Sequence, residues 1–128
     1  MATYGEGWLI PGLVAAGSLA SNQYYIVIAA STAGAVKVGS TKATDKILGV
    51  LQNDPADGEA AEVMFSGISK VAAETSVAYG DAITVSTTGR AKTTTTDGDQ
   101  ILGIALEASS SAGDLIRCTV NIHDLYLA

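Results

Sequence analysis

The sequence predicts an all-β protein: two similar small β units, related by an internal duplication, packed as a pseudo-symmetric sandwich or barrel with an extended N-terminal arm. Three observations predict it. Short runs of Val, Ile and Leu recur between clusters of Gly, Asp, Asn and Thr, the pattern of many short strands joined by turns. The last run alternates, with Ile116, Cys118, Val120 and Ile122 on one face and Arg117, Thr119 and Asn121 on the other, as a half-buried strand does. Finally, blocks of sequence recur at a nearly constant spacing. The expected division is an arm over 1–22 and a duplicated domain over 23–128, with halves at about 23–66 and 79–122.

Taken in chain order, residues Met1 to Asn22 hold Gly5, Gly7, Gly12 and Gly17, one Pro and the only Trp. Leu13 to Ala20 has the composition for a short helix, but Gly17 opposes it. The segment therefore reads as an extended arm with apolar anchors at Trp8, Leu9 and Ile10. Its glycines give it high chain entropy, so it is expected to be mobile until it binds. An exposed Trp beside two aliphatic residues is the composition of an interface anchor; the competing assignment is a lid over one open end of the β core. From Gln23 onward the candidate strands are Tyr24–Ala30, Lys46–Gln52, Glu62–Ser66, Ala82–Ser86, Gln100–Glu107 and Leu115–Ile122. Gly58-Glu59, Gly80-Asp81, Gly89-Arg90 and Gly113-Asp114 mark turns between them.

The repeat has three blocks in one order. Ile28-Ala-Ala-Ser-Thr-Ala-Gly34 with Lys37 recurs as Ile83-Thr-Val-Ser-Thr-Thr-Gly89 with Lys92, an offset of 55. Asp45-Lys-Ile-Leu-Gly49-Val50 recurs as Asp99-Gln-Ile-Leu-Gly103-Ile104, an offset of 54, and Gly58-Glu59 recurs as Gly113-Asp114 at 55. Each copy is one supersecondary unit that needs its neighbour to bury an apolar face.

Composition bounds the function. At 128 residues the chain is one domain or two small lobes sharing a core, and it can bury about two-thirds of its unfolded surface without metals or disulfides. One Cys excludes an internal disulfide and a Cys-based zinc site. Thirteen acidic against seven basic residues leave a net charge of −6, with the basic residues scattered from Lys37 to Arg117. Phosphate binding relies on clustered Lys and Arg, so nucleic acid is not an expected partner. No run reaches the 18 or more apolar residues of a membrane helix. Met1 to Ile10 lacks the basic start of a signal peptide and carries Glu6, so synthesis in the cytoplasm is expected.

Catalytic chemistry finds little support. A nucleophile, a base and an orienting group must meet within hydrogen-bond reach, and the chain has one His, His123, beside Asp124 and no G-x-S-x-G elbow. Cys118 lies on the apolar face of its strand, where a thiol behaves as a small hydrophobe. Gly34-Ala-Val-Lys-Val-Gly39-Ser40 lacks the Gly-Lys-Ser/Thr ending of a phosphate loop. Asp54, Asp57 and Glu59 offer oxygen ligands for Ca²⁺, but Asp-Pro and Asp-Gly are also ordinary turn composition; Asp97-Gly98-Asp99 has the same two readings. No catalytic residue, metal or cofactor is expected, and the chain is expected not to be an enzyme.

Gly80-Asp-Ala-Ile-Thr-Val-Ser-Thr-Thr-Gly89-Arg-Ala-Lys92, then Gln100-Ile-Leu-Gly-Ile-Ala-Leu-Glu-Ala108 and Ala112-Gly-Asp-Leu-Ile-Arg-Cys-Thr-Val120, resemble the capsid cement, or head decoration, proteins of tailed phages. Ile47-Leu-Gly-Val-Leu51 and Asp57-Gly-Glu59 follow the same pattern in the first half. The resemblance covers about Ile28 to Ile122 and excludes the arm. It implies a structural virion protein on the outer surface of a phage capsid, bound to the major capsid protein and trimeric, that stabilises the shell. An acidic chain suits a place away from packaged DNA. The alternative is another virion β module of a tail, fibre or carbohydrate-binding kind, for which seven thinly spread aromatic residues supply no sugar platform.

Overall fold

A computed structural model describes residues 6–40, 46–96 and 98–121. Ten strands and no helix are present among the described residues: β1 Glu6–Ile10, β2 Val14–Ala15, β3 Ile26–Ala29, β4 Ala35–Val38, β5 Ile47–Leu51, β6 Val63–Ala72, β7 Ala82–Val85, β8 Ala91–Thr93, β9 Gly103–Ile104 and β10 Leu115–Asn121. The larger sheet runs β1-β6-β5-β3-β4-β2, with β10 also on β6, and curls into a half-barrel; the smaller runs β8-β7-β9. Leu13 to Ala20 is not helical. It contributes β2, parallel to β4, because Ala15 and Leu19 are buried in the sheet's interior, where packing outweighs a weak local preference.

Two apolar cores explain the strand sequences. Val27, Leu51 and Val63 belong to one core with Ala15, Leu19 and Val36. Their chain neighbours Ile26, Val50 and Met64 belong to the other, with Val71, Ile83, Leu102, Ile116, Cys118 and Val120. Successive side chains of a strand point to opposite faces, so β3, β5 and the start of β6 are covered on both. That is why Ile26-Val-Ile28 and Val63-Met64 read as unbroken apolar runs. β10, covered on one face, keeps the alternation.

β6 is ten residues long and joins the two halves of the chain. Val63 and Met64 pair with Leu51 and Val50 of β5, while Ser66 to Ala72 pair with Asn121 to Leu115 of β10. The sequence pattern suggests a strand ending at Ser66, before Gly67. It continues because Gly67 is enclosed between Gly7 and Val120. A Cβ on Gly103 would strike the Thr119 carbonyl oxygen, and one on Gly49 the Met64 carbonyl oxygen. The two Ile-Leu-Gly blocks thus hold Gly where neighbouring backbone leaves no room for a side chain.

The same backbone scheme occurs in both halves. β3 pairs with β4 and β5 as β7 pairs with β8 and β9. Tyr24 N–H donates to Leu51 O as Gly80 N–H does to Ala105 O; Ala15 N–H donates to Glu59 O as Ala73 N–H does to Asp114 O; Leu19 N–H donates to Pro55 O as Val77 N–H does to Ser109 O. Register refines the sequence alignment. Ile83 takes the place of Val27 rather than Ile28, since Val27 faces Val38 and Gly49 while Ile83 faces Thr93 and Gly103. Residues 13–20 take part in this scheme as 71–78 do, and β1 pairs with β6 over five positions. The N-terminal segment from Glu6 onward is therefore built into the first sheet, in contrast to the expected separate arm, because its carbonyls and amides complete that sheet's edge.

Candidate functional site

Among the sequence-selected anchors, Trp8 is 73% and Leu9 44% exposed, whereas Ile10 is half-buried against the first core. These two adjacent strand residues send their side chains to opposite faces of β1, and the ladder to β6 slips between them. Trp8 faces Ser66 and Leu9 faces Met64, so Phe65 is left over as a bulge, and a bulge re-aims side chains. β1 lies at the end of the sheet order, which puts Trp8 and Leu9 on an edge strand.

Beside them, Ile10-Pro11-Gly12-Leu13 makes a turn with Gly12 at φ 81°. Pro followed by Gly at positive φ is the composition of a type II turn. The turn interrupts the ladder: Ile10 pairs with Val63, and pairing resumes where Ala61 N–H donates to Leu13 O and Val14 bridges Ala60. The result is an open groove of about 450 Å³ between Leu9–Val14 and Ala60–Glu62. Its far wall is held by Asn53, whose side-chain amide donates to Ala60 O and whose carbonyl accepts from Glu62 N–H. Val14 is 38% exposed. Pro11, Leu13, Val14 and Glu62 were not selected from sequence; the signal that marks them is a Pro-Gly turn directly after an apolar triplet.

A second polar constellation ties the β7–β8 turn down. Glu74 accepts from Ser86 Oγ at 2.7 Å and from Thr88 Oγ1, and pairs with Arg90 at 3.1 Å. These hydrogen bonds, Thr88 first, hold the Glu74 carboxyl below its ordinary value of 4.5 despite some loss of solvation. These bonds tie Glu74 to both ends of the β7–β8 turn.

The other sequence candidates are separate in space. Cys118 is fully buried, and burial pushes its thiol up to about 12, which makes it unreactive. Asp57 Oδ1 accepts from Gly17 N–H and Glu59 Oε1 from Ala56 N–H, so both carboxylates satisfy turn amides. Among the described residues no group of three His, Cys, Asp or Glu side chains is arranged to hold a metal ion. His123, Asp124 and Asp97 lie outside the described residues.

Residues 20–122 match the family model for a phage cement protein. The N base of head fiber gp8.5 of bacteriophage phi29 has a similar crystal structure, with a TM-score of 0.68 over 88% of this chain and 93% of that one at 16% identity. At that identity the likeness is one of fold. No curated protein sequence matches the chain.

Proposed function

The chain belongs to the phage cement protein family, and from that we propose that it binds the outer surface of a phage capsid and stabilises the shell. The family match over residues 20–122 carries this reading. The partner is the major capsid protein, and the chain acts as a structural protein without catalysis. A net charge of −6 supports a place on the outside, since packaged nucleic acid repels an acidic surface. Many modest contacts repeated over a symmetric shell give firm attachment without a deep pocket.

Trp8, Leu9 and Ile10 are the proposed capsid-contacting residues. What supports them is an exposed Trp at 73% with an exposed Leu next in the chain on an edge strand, since Trp dominates binding energy at interfaces out of proportion to its frequency. Exposed strand edges also need covering, which supports a homotrimer on the shell. The fibre alternative has only a likeness of fold behind it.

The test is co-sedimentation of the purified chain with shells of the phage that encodes it. The unmodified chain pellets with shells, and Trp8→Ala loses roughly tenfold or more in affinity while keeping its melting temperature. Failure to pellet with any shell, expanded or unexpanded, refutes the capsid reading. Image reconstruction of decorated particles checks the trimer; isolated monomers or two-fold pairs refute it.

A further inference from the structure

The ladder between Leu9–Val14 and Ala60–Val63 is interrupted, whereas the ladder between β6 and β10 is not. Ser66 to Ala72 run unbroken against β10. The Pro11-Gly12 turn opens the first ladder and leaves the apolar groove. Opening it exposes Val14 and leaves polar groups unused. The N–H groups of Gly12 and Leu13 donate to no other described residue. The Glu62 side chain is exposed on the groove wall and makes no hydrogen bond or ion pair among the described residues. An apolar groove lined by residues with unpaired amides and an exposed carboxylate matches an extended chain, whose carbonyls can accept from such amides and whose apolar side chains can fill the groove.

We infer that this groove takes an extended apolar segment of the phage shell protein, oriented by a Lys or Arg of that segment against Glu62. The inference rests on the capsid-binding reading above and specifies the chemistry of the partner. Glu62 gives the groove wall an exposed negative charge, which favours a cationic segment of the shell protein; a second copy of this chain is the competing occupant that the molar mass measurement below separates.

Shell binding is measured for Val14→Ser, Glu62→Lys and Glu62→Asp in the full chain, with melting temperature as the control for folding. Trp8, the only Trp, reports the neighbourhood by fluorescence during titration with overlapping peptides that tile the shell protein. Val14→Ser and Glu62→Lys are expected to weaken shell binding roughly tenfold, while Glu62→Asp binds like the unmodified chain. The peptides that shift Trp8 emission are expected to combine an apolar run with a Lys or Arg, and to lose their effect on Glu62→Lys. If Trp8→Ala weakens shell binding but Val14→Ser and Glu62→Lys do not, the groove inference falls and the capsid reading stands. A change in the free chain's molar mass caused by the groove variants would make a second copy the occupant and overturn the inference. Absence of shell binding by the unmodified chain overturns both.

Discussion

Thr84 and Glu74 are the two side chains whose hydrogen bonding carries an expectation for stability. Thr84 is fully buried and its hydroxyl has no hydrogen-bond partner among the described residues. It stands opposite Lys92 as Ile28 stands opposite Lys37, so the first half places an apolar residue where the second buries a hydroxyl. An unsatisfied buried polar group costs about 1–3 kcal/mol. Thr84→Val keeps the shape and is expected to stabilise the protein by roughly 1 kcal/mol, seen as a higher denaturation midpoint with an unchanged slope. An unchanged or lower midpoint would show that the hydroxyl is satisfied. Glu74 has its pKa lowered by hydrogen bonds from Thr88 and Ser86 and by Arg90. Its contribution is therefore complete above the ordinary value near 4.5 and disappears as pH falls through the lower folded value. Solvent screening keeps it modest, since Arg90 and Glu74 are about a quarter exposed. Glu74→Gln is expected to flatten the acid limb of melting temperature against pH and to change little near neutrality.

At the scale of elements, the N-terminal segment is where packing overrules composition. Four glycines and a broken apolar pattern point to a free arm, yet β1 runs along β6 and β2 along β4, with Ala15 and Leu19 buried. Deleting residues 1–22 is therefore expected to lower the melting temperature sharply or prevent folding, because it uncovers Leu51, Val63 and Val36. A truncated chain with the original melting temperature would return the segment to the status of an arm. The close strand crossings give a second expectation. Gly103 has no room for a Cβ against Thr119, so Gly103→Ala is expected to cost about 1–3 kcal/mol, the range for overpacking. Gly98, at φ 90° with open space around it, is the control: its substitution costs backbone energy alone and is expected to be milder.

For the whole molecule, β6 decides the cooperativity. It carries ladders to β1, β5 and β10, and the larger core draws Ile26, Val50 and Met64 from one half together with Ile83, Leu102 and Ile116 from the other. The halves also share hydrogen bonds, from Ile26 N–H to Gly89 O and from Ile47 N–H to the Gln100 side chain. Neither half can open without exposing that core, so thermal unfolding is expected to be one transition with equal calorimetric and van't Hoff enthalpies. Two separated transitions would show that the halves are independent.

Much of this architecture is legible in the chain itself, because turn chemistry and strand period are local properties. The positions of Gly58 and Gly113, the alternation of β10 and the apolar runs of β3 and β5 follow from residue type alone. Trp8 and Leu9 also stand out by composition as an apolar cluster outside the main strand pattern, and both are exposed; their contact with a shell is a proposal. Three features depend on residues distant in sequence. β6 continues past Gly67 because Gly7 and Val120 flank it. β2 forms because β4 offers it an edge and a core to fill. The groove exists because Pro11-Gly12 lies across from Ala60–Glu62, which Asn53 holds in place. Backbone groups must find partners wherever the fold supplies them, and no local pattern records which distant strand will supply them.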